Sequence, residues 1–253
     1  MRARTGLLAL VAGVVSLTLW VTGCAGGPGS TAAPASPTVR IFAAASLAGA
    51  FADIAKTQPA SPKPEFNFAG SGALVDQLAE GARADVLATA DETTMARAIK
   101  GGLVAGDPVR FATNRLTLIV APDNPLHITS LASLKGHKLV TCAVGVPCGN
   151  ATKKLTDLLN IALAPVSEES SVTDVVGKVT SGEADAGIVY VTDAKAAKDQ
   201  VTEVPIAGSD KVINAYLIAP LADGAAGDAA NFISAVTSPQ GKAVLAAYGF
   251  GPA

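Results

Sequence analysis

The chain has 253 residues, enough for one large domain or two small ones. It is 49% hydrophobic and 16% charged, so it can bury a sizeable core, but only 4% is aromatic, which leaves most of the packing to Ala, Val and Leu. Lys and Arg number 19 against 21 Asp and Glu, with no basic run, which argues against a nucleic-acid partner.

The amino terminus reads as a targeting segment. Arg2 and Arg4 precede an uncharged apolar run over residues 7–21, short for a spanning helix and suited to an export signal. The run ends in Val21-Thr22-Gly23-Cys24, which resembles the lipobox of bacterial lipoproteins. That resemblance implies a signal peptide over 1–23 and lipidation of Cys24. Residues 24–37 are rich in Gly, Pro, Ser, Thr and Ala without periodicity, as expected of a flexible tether. Removing residues 1–23 removes two Arg and no acid, leaving 17 Lys and Arg against 21 Asp and Glu, a net charge of −4. An anion bound by such a chain must be held by local dipoles rather than net charge.

After the tether, strands and helices alternate. An apolar run over 39–45 predicts a strand, and Leu47, Phe51 and Ile54 then fall on one helical face. Ser46 stands at the handover, at the expected N-cap. A helix start carries N–H groups without intrahelical partners and a mildly positive dipole end. Adding a hydroxyl makes such a place fit for an anion, although a lone serine there is ordinarily a plain cap. The chain then repeats the device. Residues 66–69 predict a strand, Gly70-Ser71-Gly72 a turn, and Val75 and Leu78 an apolar helical stripe ending near Gly81. Residues 85–90 predict a third strand, with Asp91 capping a helix over 92–100.

An apolar run over 116–121 is expected to cross to a second lobe, where a strand over 138–144 leads to a helix opened by Pro147-Cys148-Gly149-Asn150. Ser170-Ser171-Val172-Thr173 opens another helix, with Val172, Val175, Val176 and Val179 inward. Residues 187–190 predict a buried strand with Tyr190 near its carboxyl end, and 212–219 a return strand. Two final helices, near 228–236 and 239–247, are expected to pack back on the first lobe. Such alternation predicts a mostly parallel sheet with ligands gathered at the carboxyl ends of strands. Cys142 and Cys148 form a C-x5-C pair that fits either a disulfide of an exported protein or two small buried thiols. Neither His127 nor His137 stands in a metal-ligand spacing, so no direct metal ligation by side chains is expected.

Several of these stretches carry a resemblance. FAAASL at 42–47, FAGSGAL at 68–74, GVPCG at 145–149, SVTDVV at 171–176 and GIVY at 187–190 resemble, in order, the periplasmic molybdate-binding proteins of ABC importers. SPQGKAVLAAYGF at 238–250 is similar to the last helix of solute-binding proteins generally. The resemblance spans about 39–251. It implies an α/β, two-lobed periplasmic-binding-protein fold of type II, with the ligand cleft between lobe 1 (38–117 and 220–253) and lobe 2 (118–219). It implies molybdate, and tungstate with it, as ligand, bound as the oxyanion by Ser46, Ser71, Cys148, Val172 and Tyr190. Ser46 and Ser71 would supply hydroxyl and backbone N–H, Cys148 and Val172 backbone N–H, and Tyr190 its hydroxyl. Cys148 departs from the small residue expected there, such as Ala, and a bond to Cys142 would stiffen its turn.

The implied protein is a monomer without cofactor. It would be lipid-anchored at the extracytoplasmic face of the cell membrane, delivering its ligand to a permease and its ATPase. Another tetrahedral oxyanion, such as sulfate, is the nearest alternative. An enzyme is the reading from another class, a hydrolase using Ser71. However, Ala69 breaks the G-x-S-x-G elbow, and no base or carboxylate pair accompanies the serine.

Overall fold

A computed structural model describes residues 38–58 and 62–253. The expected signal peptide 1–23, the lipidation site Cys24 and the tether 24–37 lie outside the described residues.

The chain enters through β1 (Thr38–Ala44), turns once in a 3-10 conformation (Ala45–Leu47) and continues as α1 (Ala48–Lys56). β2 (Lys63–Ala69) leads into α2 (Ser71–Ala79), and β3 (Val86–Thr89) into α3 (Glu92–Lys100). β1 pairs in parallel with both β2 and β3. This is the crossover arrangement expected when each strand is followed by a helix.

β4 (Val109–Val120) is longer than the apolar run predicts, at 12 residues. Its Arg115–Leu116 step divides two strand sets. Residues up to Arg115 pair with β9 (Ile213–Pro220), and residues from Leu116 pair with β7 (Ala186–Tyr190). Beyond that step, β5 (Leu139–Cys142) lies in parallel between β7 and β6 (Ser167–Glu169), while β8 (Thr202–Val204) adds to the end of β4. α4 (Pro147–Leu159), α5 (Val172–Thr180) and α6 (Val191–Ala197) cover this second set. α7 (Ala226–Thr237) and α8 (Pro239–Ala247) return to pack on α1.

The strand order is β2-β1-β3-β9-β4-β7-β5-β6, with β8 on β4. The sheet is therefore mixed, not mostly parallel as the alternation suggests. Pairings are parallel in the two outer arms and antiparallel wherever β4 or β9 takes part. The cause is topological. These two strands carry the chain between the arms and back, and neither follows a βα crossover from its neighbour. β9, expected as the return strand, is hydrogen-bonded within the first set through β3.

The scarce aromatics are not scattered. Phe51 meets Phe66, Phe111 and Phe232 at centroid distances of 6.5, 5.9 and 5.3 Å. Phe111 and Phe250 pack edge-on against Tyr216, which in turn meets Tyr190 at 6.0 Å. One aromatic chain thus runs from α1 to the end of β7, and edge-on ring pairs add to burial. A smaller cluster under α2 and α3, around Phe42, Leu74, Leu87 and Met95, fills the other face of the first arm. In the second arm α5 lies close on β7 because Gly187 has no Cβ; one built there would reach within 2.7 Å of Val175.

Candidate ligand-binding cleft

The five expected positions come together. Ser46, Ser71, Cys148, Val172 and Tyr190 all line one cavity of about 10 Å³, close to the least that holds a water. Around them stand Ala44, Ala45, Ala69, Gly70, Ala90, Val146, Pro147 and Ser171. Among the described residues its lining includes no charged side chain. Ser71, Cys148, Val172 and Tyr190 are buried, and Ser46 is half-buried. A larger groove of about 490 Å³ lies beside α7 and the start of β2, lined in part by Ser238 and Gln240 at the start of α8, and none of the five expected positions lines it.

Local structure explains each position. Ser46 lies within the 3-10 turn rather than at an α-helical N-cap, because the tighter turn moves the α-helix start to Ala48. Its hydroxyl caps nothing and meets the Tyr216 hydroxyl at 2.8 Å. Ser71 is the first residue of α2, with Gly70 as N-cap. Gly70 is required there by a close approach, since a Cβ would overlap the backbone carbonyl oxygen of Ser170 on the opposite arm. The Ser71 hydroxyl accepts the Ala90 N–H at 3.1 Å.

On the second arm Pro147 is the first residue of α4 and has no N–H, so Cys148 presents the first amide of that helix. Cys148 is bonded to Cys142 at the end of β5, with Cα atoms 5.7 Å apart. Ser171 caps α5 by accepting the Asp174 N–H, leaving the amide of Val172 among the unpaired donors of the first turn. Tyr190 ends β7, and its hydroxyl accepts from Asn214 Nδ2 at 2.8 Å.

Three residues here are not singled out by the sequence reading: Asn114, Asn214 and Tyr216. Asn214 and Tyr216 stand two apart on β9, hence on one face, and Asn114 is the register partner of Asn214 on β4. The signal available was an asparagine inside a strand, Asn214 within the mostly apolar β9 and Asn114 within the mixed β4, both buried in the fold. Burial raises the pKa of both the Tyr190 and Tyr216 hydroxyls, with nearby carboxylates adding to it, so both stay protonated. Asp193, in the first turn of α6, accepts the Tyr190 N–H at 3.0 Å, and burial pushes its carboxyl up to about 7. At the rim, Asp91 caps α3 through the Thr94 N–H at 2.8 Å and accepts from Asn150 of α4 at 3.1 Å. That second bond links the two arms.

The arrangement is a buried nest of neutral donors at the carboxyl ends of β1, β2, β5, β6 and β7. Helix-start amides and hydroxyls aimed at one point suit a compact anion.

Comparison with known proteins agrees. The family model described as bacterial extracellular solute-binding protein matches residues 39–251. The molybdate-binding protein ModA of Mycobacterium tuberculosis H37Rv is 42% identical over 259 residues, covering 97% of this chain and 96% of its own. The molybdate-binding protein ModA of Haemophilus influenzae is 30% identical, covering 85% and 91%. Among solved structures, the periplasmic molybdate-binding protein of Azotobacter vinelandii aligns with a TM-score of 0.72 at 19% identity, over 84% of this chain and 98% of that one. With the matching fold and a family model spanning residues 39–251, the chain belongs to the bacterial extracellular solute-binding proteins.

Proposed function

We propose that this protein captures molybdate, and tungstate with it, outside the cytoplasmic membrane and delivers it to the permease and ATPase of an ABC importer. The observation that carries this reading is the convergence of Ser46, Ser71, Cys148, Val172 and Tyr190 on one uncharged, donor-lined cavity. A fully ionised tetrahedral oxyanion only accepts hydrogen bonds. Hydroxyls and helix-start amides only need to give them. The near full-length similarity to molybdate-binding proteins supports the same choice of ligand.

Binding, not hydrolysis, fits the chemistry of Ser71. Its oxygen is taken up by the Ala90 amide, while His137 lies near Asp185 and His127 in a turn at positive φ. A nucleophilic serine needs a base within reach.

The two strand sets divide the donors between two lobes, with Ser46 and Ser71 on one and Cys148, Val172 and Tyr190 on the other. We place the lobe crossings where the hydrogen-bonded sets change, at 115/116 in β4 and just before β9. These lie near 117/118 and, less closely, 219/220 as read from the sequence. The lining residues are mostly buried, so entry of an oxyanion requires the lobes to part, and closure follows binding. The lipobox-like Val21-Thr22-Gly23-Cys24 supports a lipid anchor at Cys24, and the chain acts as a tethered monomer.

Calorimetry against molybdate, tungstate, sulfate and phosphate tests the ligand. Molybdate and tungstate are expected to bind alike and sulfate more weakly. Absence of any heat with molybdate would sink the reading. For the anchor, the wild-type chain is expected to take up labelled lipid and a Cys24→Ala chain none; lipid on that variant refutes Cys24 as the site.

A further inference from the structure

Hydrogen-bond accounting behind the cleft gives each hydroxyl a direction. Asn214 Nδ2 lies 3.0 Å from the carbonyl oxygen of Ala90 and 2.8 Å from the Tyr190 hydroxyl. A carbonyl can only accept, so the group facing it is the amide NH₂. Its other hydrogen goes to Tyr190, whose oxygen therefore accepts and whose own proton points away from Asn214. Tyr190 lines the cavity, and the cavity is where that proton can go.

The same reasoning fixes the second hydroxyl. Asn114 Oδ1 accepts the Arg115 N–H at 2.9 Å, so its Nδ2 is the donor to Thr192 and, at 3.3 Å, to Tyr216. The Tyr216 hydroxyl, accepting from Asn114, keeps its own proton, and among the described residues the Ser46 oxygen at 2.8 Å is the acceptor within its reach, so that proton goes to Ser46. The Ser46 proton is then left for the cavity. Ala90 completes the set: its carbonyl holds Asn214 and its N–H occupies the Ser71 oxygen. All three hydroxyls thus have a lone pair engaged from behind and a proton free in front.

We infer that Asn214 and Tyr216, neighbours on one face of β9, are specificity-determining positioning residues that hold the Tyr190 and Ser46 hydroxyls as donors toward a fully deprotonated oxyanion. The inference rests on the oxyanion reading above. A hydroxyl free to rotate could turn a lone pair to the proton of hydrogenphosphate, whereas one pinned from behind presents its own proton to the cleft and meets that group as a donor. Discrimination against protonated anions then resides in residues outside the cavity lining.

Two double-mutant cycles test this by calorimetry with molybdate, and by competition of phosphate against bound molybdate. Asn214→Leu is combined with Tyr190→Phe, and Tyr216→Phe with Ser46→Ala. Tyr216→Phe keeps the ring that packs on Phe111 and Phe250, so it answers the question even if Asn214→Leu folds poorly. Each β9 variant is expected to lose about tenfold in molybdate affinity, and to gain about tenfold in the competitiveness of phosphate. Both effects are expected to vanish when the cleft hydroxyl is already absent. Wild-type protein that binds molybdate, with β9 variants whose losses are additive with the hydroxyl deletions and whose phosphate discrimination is unchanged, overturns the positioning role alone. Wild-type protein that binds no oxyanion overturns the function and this inference together.

Discussion

Ser71 and Cys148 contribute different parts of themselves to the same cavity. Ser71 offers a hydroxyl whose oxygen already accepts the Ala90 amide, so Ser71→Ala removes a donor to the ligand and leaves that amide unpaired. The expected loss is about 1.5–3 kcal/mol, roughly ten- to more than a hundredfold in molybdate affinity by calorimetry. Cys148→Ala keeps the backbone N–H and is expected to change affinity little. Its effect falls on stability, because the bond to Cys142 spans a sequence separation of only 6. A loop that short contributes about 2 kcal/mol in the chain-entropy account, read as a lowered Tm. Equal affinity losses in both variants would mean that the serine hydroxyl does not touch the ligand. The sequence made Ser71 visible, since a serine flanked by glycines between a strand and an apolar helical stripe is a local pattern. It did not make Ala90 visible, because an alanine carries no side-chain signal and acts here through its peptide.

Helix starts are the working elements, and how close they come decides whether the cleft closes. α2 begins at Gly70, whose backbone meets the Ser170 carbonyl just before α5. The φ of Gly70 is −58°, ordinary for any residue, so Gly70→Ala is not strained by itself. The added methyl has no room only when the arms are together. Gly70→Ala is therefore expected to leave Tm nearly unchanged and to weaken molybdate binding by about tenfold or more, through a cleft held ajar, at about 1.4 kcal/mol per decade. Small-angle scattering provides the check: the variant should not compact on adding molybdate, whereas the wild-type chain should. An affinity equal to wild type would show that the Gly70–Ser170 contact is not needed for binding. The glycine was expected as part of a turn. Its opposing carbonyl, a hundred residues further along the chain, could not be read from any local pattern.

The whole molecule adds a pH dependence. Asp193 is buried, and its carboxyl is raised to about 7 from an ordinary value near 3.8. A raised acid holds its proton in the folded chain after the unfolded chain has released it. The folded state therefore binds more protons between about pH 4 and 7, and stability falls as pH rises through that window. Asp53 and Glu169 are shifted the other way, downward, chiefly by hydrogen bonds from Lys56 and Lys178. Asp193→Asn retains an oxygen for the Tyr190 N–H and is expected to flatten the decline of Tm between about pH 4 and 7. A decline as steep as wild type would assign the dependence elsewhere. At the same scale, phosphate is expected to displace molybdate at least tenfold less well than tungstate does, since its remaining proton finds only donors. Phosphate competing equally would place an acceptor in the cleft.

Features that depend on near neighbours along the chain are legible without the fold. Strand-to-helix handovers at Ser46, Ser71, Pro147 and Ser171 are legible because caps, prolines and glycines act within one turn. Helix α3, capped by Asp91, is read from the sequence with the bounds the structure gives it. The solute-binding fold was legible through motifs that occur in order. How those parts face one another depends on contacts between residues far apart in the chain. Ser46 and Tyr216 meet across 170 residues, and Asn214 reaches Ala90 across 124. The antiparallel middle of the sheet follows from β4 and β9 passing between the arms, a path that periodicity within either strand does not encode. Local pattern fixes where a donor is made, and long-range packing fixes which way it points.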